Sequence, residues 1–518
     1  MPTRKLTRRR FLVTTAASTT LVAMPYVRGS YAAGRLSLAI WDHFVPGANA
    51  TSKALIEEWA TREKVEVQID YINNIGGKLL VTVAAEAQAR VGHDIVYLTS
   101  WLPSDNARNL EPVDDVMEAL IEQNGGVNPT VEYLGKSEGH WIAVPATIGT
   151  QLQSPCSRID LMKRYAGIDV QAMYPAGAPP KADNWTLDTF FTAAEACHKA
   201  GFPFGIGLGT TEDSVVAAGA IFHSFGAMLV DAKGNITVNS EPVRQALEYY
   251  TRLARFFPPD APAWDNASNN KWLISGRGAP PSAWAVAKRD APQIAEQLWT
   301  HGMPAGPKGR FVAFLPFFWG IWSFSKNKPA AKSLLTHLSQ PSAIEAMVAA
   351  SNGYDLPPFT SMTRFKTWAE QGPPKGTLYH YPNLDSHQTL SVTGWPAPGK
   401  IAVQIFTQGV MTKMTLRHMQ GEPMEKTLSW AEDEWASCGP EDGRAVRGRP
   451  SEGSNATCVT TTAAPPVAPL IPHHHANRYW LHTGLIGLIV LLAYDLTLLI
   501  RRAPASGWQH MGPSAATT

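Results

Sequence analysis

Cysteine is scarce in this 518-residue chain: four residues, at 156, 197, 438 and 458. Their spacings of 41, 241 and 20 residues fit neither a metal knuckle nor a CxxC pair, which excludes zinc-ribbon and thioredoxin-type chemistry. In an oxidising compartment, a Cys156–Cys197 or a Cys438–Cys458 bridge stays open to the chain. No GxxxxGK[ST] run occurs, and Gly205-Ile206-Gly207-Leu208-Gly209 is not a GxGxxG turn, so nothing points to a nucleotide and no cofactor is expected. A surplus of charge is missing too. Lys and Arg total 45 and Asp and Glu 43, but residues 1–33 hold six bases and no acid, and residues 437–518 hold six bases and four acids. The body between them, 34–436, carries 33 bases against 39 acids, a net charge of −6. That argues against a phosphate-binding surface and against nucleic acid as a partner. What the chain does have is tryptophan, 17 in all and 15 of them within 34–436, more than bare packing requires.

The two ends deal with membranes. Thr7-Arg8-Arg9-Arg10-Phe11-Leu12, a Thr/Ala-rich apolar run to Met24, and the small residues up to Ala33 make the three parts of an export signal over 1–33. The paired arginines before Phe11 resemble a twin-arginine signal, which exports folded proteins. At the far end, 437–478 is rich in Gly, Pro, Ala and Thr and reads as a disordered linker. Residues 479–500 then give 22 largely apolar positions, long enough to cross ~30 Å of hydrocarbon, followed by Arg501, Arg502 and a short tail over 501–518. A span there keeps its basic side in the cytoplasm and the large domain outside, in agreement with the export signal.

In the body, Leu36, Leu38 and Ile40 alternate as a strand, and Leu55, Ile56 and Trp59 follow at helical spacing behind Ser52, which reads as an N-cap. Val65, Val67, Ile69 and Tyr71 alternate again, and a helix from about Lys78 to Arg90 leads to a strand at Asp94-Ile95-Val96-Tyr97-Leu98. Strands and helices alternating at this spacing imply right-handed crossovers and a parallel, twisted sheet. Ligands of such sheets bind beyond the carboxyl ends of the strands, where Trp41-Asp42-His43 and Trp101 stand. Residues 140–145 read as a further strand. Beyond it the pattern restarts with helices near 190–197 and 221–225, a turn at 229–235, and helices opened by Ser240-Glu241-Pro242, Pro329 and Pro341. Two α/β lobes fit this length.

The run Ser224-Phe225-Gly226-Ala227-Met228-Leu229-Val230-Asp231, with Gly234-Asn235-Ile236-Thr237 and Ala246-Leu247-Glu248-Tyr249-Tyr250 behind it, resembles the core signature of extracellular solute-binding proteins of the carbohydrate ABC-import type (family 1). Tyr133-Leu134-Gly135-Lys136, Trp319-Gly320-Ile321-Trp322-Ser323-Phe324 and Gly421-Glu422 with Lys426-Thr427-Leu428 extend the resemblance over roughly 36–436. It implies an α/β, two-lobe periplasmic-binding-protein fold (type II), hinged, with the ligand cleft between the lobes. One lobe is then 36–147 plus 311–355, and the other 148–310 plus 356–436. The implied partners are a carbohydrate or polyol and ABC permease subunits driven by a separate ATPase. Where the family often has a Tyr-Asn pair after the first hinge crossing, this chain has Gln151-Leu152-Gln153-Ser154, and near Gly278 the usual apolar strand gives way to Pro280-Pro281-Ser282-Ala283-Trp284.

Sugars present polar edges and apolar C–H faces, so a reversible site needs aromatic plates and planar polar groups. Trp41, Trp101, Trp264, Trp284 and Trp319 are the candidate plates; Asp42, His43, Gln151, Asp265 and Asn269 are the candidate hydrogen-bonding partners. Two other readings compete. In one, Asp42 and Asp265 are paired carboxylates of an exported glycosidase-like enzyme. In the other, the chain is a membrane-tethered ligand-sensing domain, although only 16 residues follow Arg502.

Overall fold

Six of the seven residues of strand β1 (Arg35–Trp41) are buried, the pattern of a strand covered on both faces. The computed structural model describes residues 34–175, 178–276, 284–362, 365, 367 and 388–436. Every described residue belongs to one compact unit within 1–458. The export signal 1–33, the linker 437–478, the span 479–500 and the tail therefore lie outside the described residues. Among the described residues no helix is long and apolar enough to cross a membrane.

The opening alternation folds much as its pattern predicts. After β1 come helix α1 (Pro46–Glu63), strand β2 (Glu66–Ile72), helix α2 (Lys78–Ala89) and strand β3 (Ile95–Thr99). Both β2 and β3 pair with β1 in parallel, Arg35 opposite Glu66 on one side and Leu38 opposite Ile95 on the other. One boundary differs: α1 starts at Pro46, whose missing N–H and fixed φ suit a first helical turn, so Ser52 is not the cap. Ser52 is instead buried inside α1, donating to the Asn49 carbonyl at 3.0 Å. Helix α3 (Asp114–Asn124) and a two-stranded ribbon of β4 (Lys136–Ser137) and β5 (His140–Trp141) follow.

Strand β6 (Val144–Gln153) is buried along its whole length. Past it come β7 (Cys156–Arg158) and helices α4 (Leu187–Lys199), α5 (Glu212–Ser224), α6 (Glu241–Ala254) and α7 (Ser268–Ile274). Then come β8 (Leu298–Thr300), the long β9 (Phe311–Ile321), α8 (Lys328–Leu338) and α9 (Pro341–Ala350). The last elements are β10 (Thr389–Ser391), α10 (Gly399–Gln408), α11 (Val410–Met419) and α12 (Met424–Ala436). The second half carries far less sheet than the restarted pattern suggested. Its strands among the described residues are the three-residue pair β7–β8 and the short β10, which joins β9. Amphipathic helices supply the core there, α6 burying Val243, Leu247, Tyr250 and Leu253 along one face.

Strand β9 ties the halves together. Its end pairs antiparallel with β3, its start pairs parallel with β10, and β6 runs antiparallel beside it. The β6–β9 register breaks once: Ala146 faces Phe317, but Gln151 faces Leu315, so five steps of β6 match two of β9. The surplus bulges out. Gly149, at φ 77°, turns it, and a Cβ there would lie 2.7 Å from the Tyr97 hydroxyl. Tyr97 donates to the Ile148 carbonyl, and the Gly149 amide donates to Asp355 Oδ1 at 2.7 Å. His43 Nε2 donates to that same oxygen at 3.0 Å, its tautomer set by Nδ1, which accepts the Val45 amide at 2.8 Å. Rings pack around this bulge: Phe317 stacks on Trp41 (5.9 Å between centroids) and on Tyr97 (5.0 Å), and Trp319 meets Tyr97 edge-on.

Cys156 and Cys197 are not bridged. Both are buried, but Cys156 packs with Leu273, Ala287 and Leu298, and Cys197 belongs to the main core. Cys438 and Cys458 lie outside the described residues.

Candidate functional site

The glycine run Gly205-Ile206-Gly207-Leu208-Gly209 is needed for close approach. A Cβ on Gly207 would sit 2.4 Å from Ser214 Oγ, one on Gly205 2.4 Å from the Trp272 ring, and one on Gly209 3.2 Å from the Trp264 carbonyl. The loop is therefore wedged between the first turn of α5, Trp272 on α7 and the Trp264 backbone. Thr211 caps that helix, its hydroxyl accepting the Ser214 amide and lying 2.9 Å from the Ser214 hydroxyl. Two acids, Glu212 and Asp213, occupy the first turn, where the helix dipole favours negative charge.

These neighbouring carboxylates point to different places. Glu212 reaches the first sheet: Thr99, the last residue of β3, donates to Oε1 at 2.7 Å, and Asn74 donates to Oε2 at 3.2 Å. Asp213 turns the other way, accepting Gln153 Nε2 on Oδ1 at 2.6 Å and Asn269 Nδ2 on Oδ2 at 3.0 Å. Burial pushes Glu212 up to about 7 and Asp213 up to about 6, more than these bonds pull them down, and each feels a neighbouring carboxylate as well.

Beside Asp213 opens a small cavity, lined by Gln153, Gly207, Thr211, Asp213, Trp264 and Asn269 among others. Trp264, 7% exposed, forms one wall and packs on Trp272 at 5.7 Å between centroids. Asp265, also on the lining, folds back on its own loop and accepts the Ala267 amide and the Ser268 hydroxyl. Its partial burial opposes ionisation, but the Ser268 and Ala267 bonds, with Lys271 nearby, hold it below the usual carboxylate range.

Of the residues chosen from sequence, the cavity brings together Trp264, Asp265 and Asn269. Five others are buried elsewhere and do not line it. Trp41 and Trp319 pack around the β6 bulge, His43 is bonded to Asp355, and Gln151 pairs with Leu315 inside the sheet. Trp101, 1% exposed, donates Nε1 to the Thr393 carbonyl at 2.6 Å. Asp42 accepts Asn49 Nδ2 at 2.8 Å on the rim of α1. Trp284 opens the short helix Trp284–Asp290, and its side chain lies outside the described residues. Sequence reasoning passed over Gln153, Thr211, Glu212 and Asp213. The readable signal was Thr211-Glu212-Asp213-Ser214 directly behind a glycine run, a helix start with two acids in its first turn.

The comparisons with known proteins bear on the same body of the chain. Residues 54–373 match the model of a bacterial extracellular solute-binding protein. The chain belongs to that family. It is 26% identical over 303 residues to a probable ABC transporter-binding protein of Deinococcus radiodurans, spanning 54% of this chain and 68% of that one. Among solved structures, this solute-binding protein is similar to maltose-bound T. maritima MalE3, with a TM-score of 0.62 and 17% identity over 77% of this chain and 98% of that one. It is also similar to an ABC transporter solute-binding protein of Agrobacterium vitis S4 with bound D-mannitol, with a TM-score of 0.57 and 18% identity over 77% and 97% of the two chains. At these identities the likeness is one of fold, the two-lobe α/β fold of periplasmic sugar-binding proteins.

Proposed function

We propose that the protein is the solute-receiving component of an ABC importer and that it binds a sugar or polyol in the cavity beside Asp213. The observation that carries this reading is Asp213 itself: a carboxylate held on both oxygens by the amides of Gln153 and Asn269, next to the wall formed by Trp264. A planar acceptor set beside an indole is what a polyhydroxylated ring requires. The chain has no phosphate-binding loop, so energy for import comes from a separate ATPase acting through permease subunits. The lobe boundaries proposed above fall at the β6 bulge, at the start of β9 and just past Asp355, the three crossings a hinge motion would bend.

The test is a thermal-shift panel of mono- and oligosaccharides and polyols on the full chain. A ligand at 100 times its Kd raises stability by ~2.7 kcal/mol, which is readily seen. Stabilisation by a peptide or phosphate ester, with none by any carbohydrate, would sink the sugar reading. The export signal over 1–33 and a tether over 479–500 belong to the same proposal. Mass spectrometry of the mature protein from membrane and soluble fractions checks both.

A further inference from the structure

The polar atoms around the cavity are unbalanced. Asp213 is a carboxylate whose two partners are neutral amides, each giving it one of its two N–H groups, and neither brings a positive charge. Gln153 is 5% exposed, and its Oε1 accepts no hydrogen bond among the described residues. The Thr211 and Ser214 hydroxyls lie within bonding distance of each other. Among the described lining residues, two are acids and none is Lys, Arg or His. Lys271 stands 3.9 Å from Asp265 Oδ2, with its side chain 69% exposed and so solvated. The wall thus offers acceptors and negative charge with no cation to balance it.

A neutral hydroxyl can satisfy these acceptors but leaves the charge without a counterion in a site partly withdrawn from water. A solute rich in acceptors, such as a uronate or a sugar phosphate, meets repulsion. A protonated amine brings three donors and the missing charge, and Trp264 adds a face that attracts cations. We propose that the solute carries an ammonium group, as an amino sugar or amino polyol does, seated between Asp213 and Gln153 Oε1 against Trp264. This rests on the sugar reading above and narrows it.

Calorimetric titration of the full chain with matched pairs tests it: glucose with glucosamine, sorbitol with 1-amino-1-deoxysorbitol, and putrescine as an amine without a sugar frame. The amino member should bind about tenfold tighter than its neutral twin. The gap should shrink in high salt and close in Asp213→Asn. Gln153→Leu, which removes the second acceptor and keeps the carboxylate, should narrow it also and serves if Asp213→Asn fails to fold by circular dichroism. A neutral member that binds as tightly as the amino one overturns the ammonium seat and leaves the sugar reading standing. Binding of putrescine alone, with no carbohydrate of either kind, keeps the ammonium seat and overturns the sugar reading. No binding by any of the five probes overturns this proposal.

Discussion

Asp355 and Asp213 are both withdrawn from water, yet their partners differ in kind. Asp355 is fully enclosed and answers a histidine N–H and a backbone amide through one oxygen, which pins the β6 bulge to the loop after β1. Asp213 answers two neutral side-chain amides and borders open space. A carboxylate whose bonds close on the protein's own backbone holds shape. One held only by neutral, swivelling amides beside a cavity keeps its charge available to something else. The same contrast sorts the tryptophans: Trp101 is closed off by a backbone carbonyl, whereas Trp264 walls the cavity.

The largest effect should come from Asp355→Ala. Removing a buried partner leaves the His43 and Gly149 donors unanswered, and we expect a loss of ~3 kcal/mol in urea unfolding. A variant within ~0.5 kcal/mol of wild type would erase the contrast. Next is Gly149→Ala, which puts a side chain at positive φ against Tyr97 and should cost about 1–3 kcal/mol by the same measurement.

A third prediction concerns pH. Glu212, at about 7, and Asp213, at about 6, stand above their unfolded values, so folding favours their neutral forms. Their contribution to stability is full below about pH 4 and is lost as pH rises through 6 to 7. His223 and His301, held near 4 by burial, pull the other way between about pH 4 and 6.5. The useful readout is therefore a difference. Glu212→Gln/Asp213→Asn should gain steadily on wild type in urea unfolding as pH rises from 4 to 7.5 in the absence of solute. A flat difference would mean that folding does not favour the neutral forms of these two acids.

The smallest effect is expected for Trp101→Phe. It loses one hydrogen bond to Thr393 and should lower stability by about 1 kcal/mol with solute affinity unchanged. Weakened solute binding in that variant would return Trp101 to the site.

Local periodicity made the first sheet legible. Leu36, Leu38 and Ile40 are buried as their alternation demanded, and 95–98 form an enclosed strand. Pro329 and Pro341 open α8 and α9 as anticipated. The cavity was only partly legible. Trp264, Asp265 and Asn269 stood out because they follow a proline-rich loop, but Gln153 could not be told from Gln151. Both face the same side of β6 beyond the bulge, and what separates their fates is Asp213, which comes to lie against Gln153 from 60 residues further on. His43, Trp41 and Trp319 looked like rim residues because the topology of an open sheet puts ligands there. The chain instead fills that rim from β6 and from Asp355, contacts that no local pattern announces.

The long strand β9 also bears on how the molecule comes into being. Thr99 finds its partner in Phe317, so while the ribosome is still making the middle of the chain the edge of β3 stands bare. Pairings so far apart in sequence slow folding, and an exposed edge invites other chains. The first sheet is therefore completed late: β3 gains its second neighbour only after residue 321 has emerged, and β10 joins only after residue 391. The paired arginines near its start, read as an address for finished molecules, would suit a protein that has to be whole before it travels.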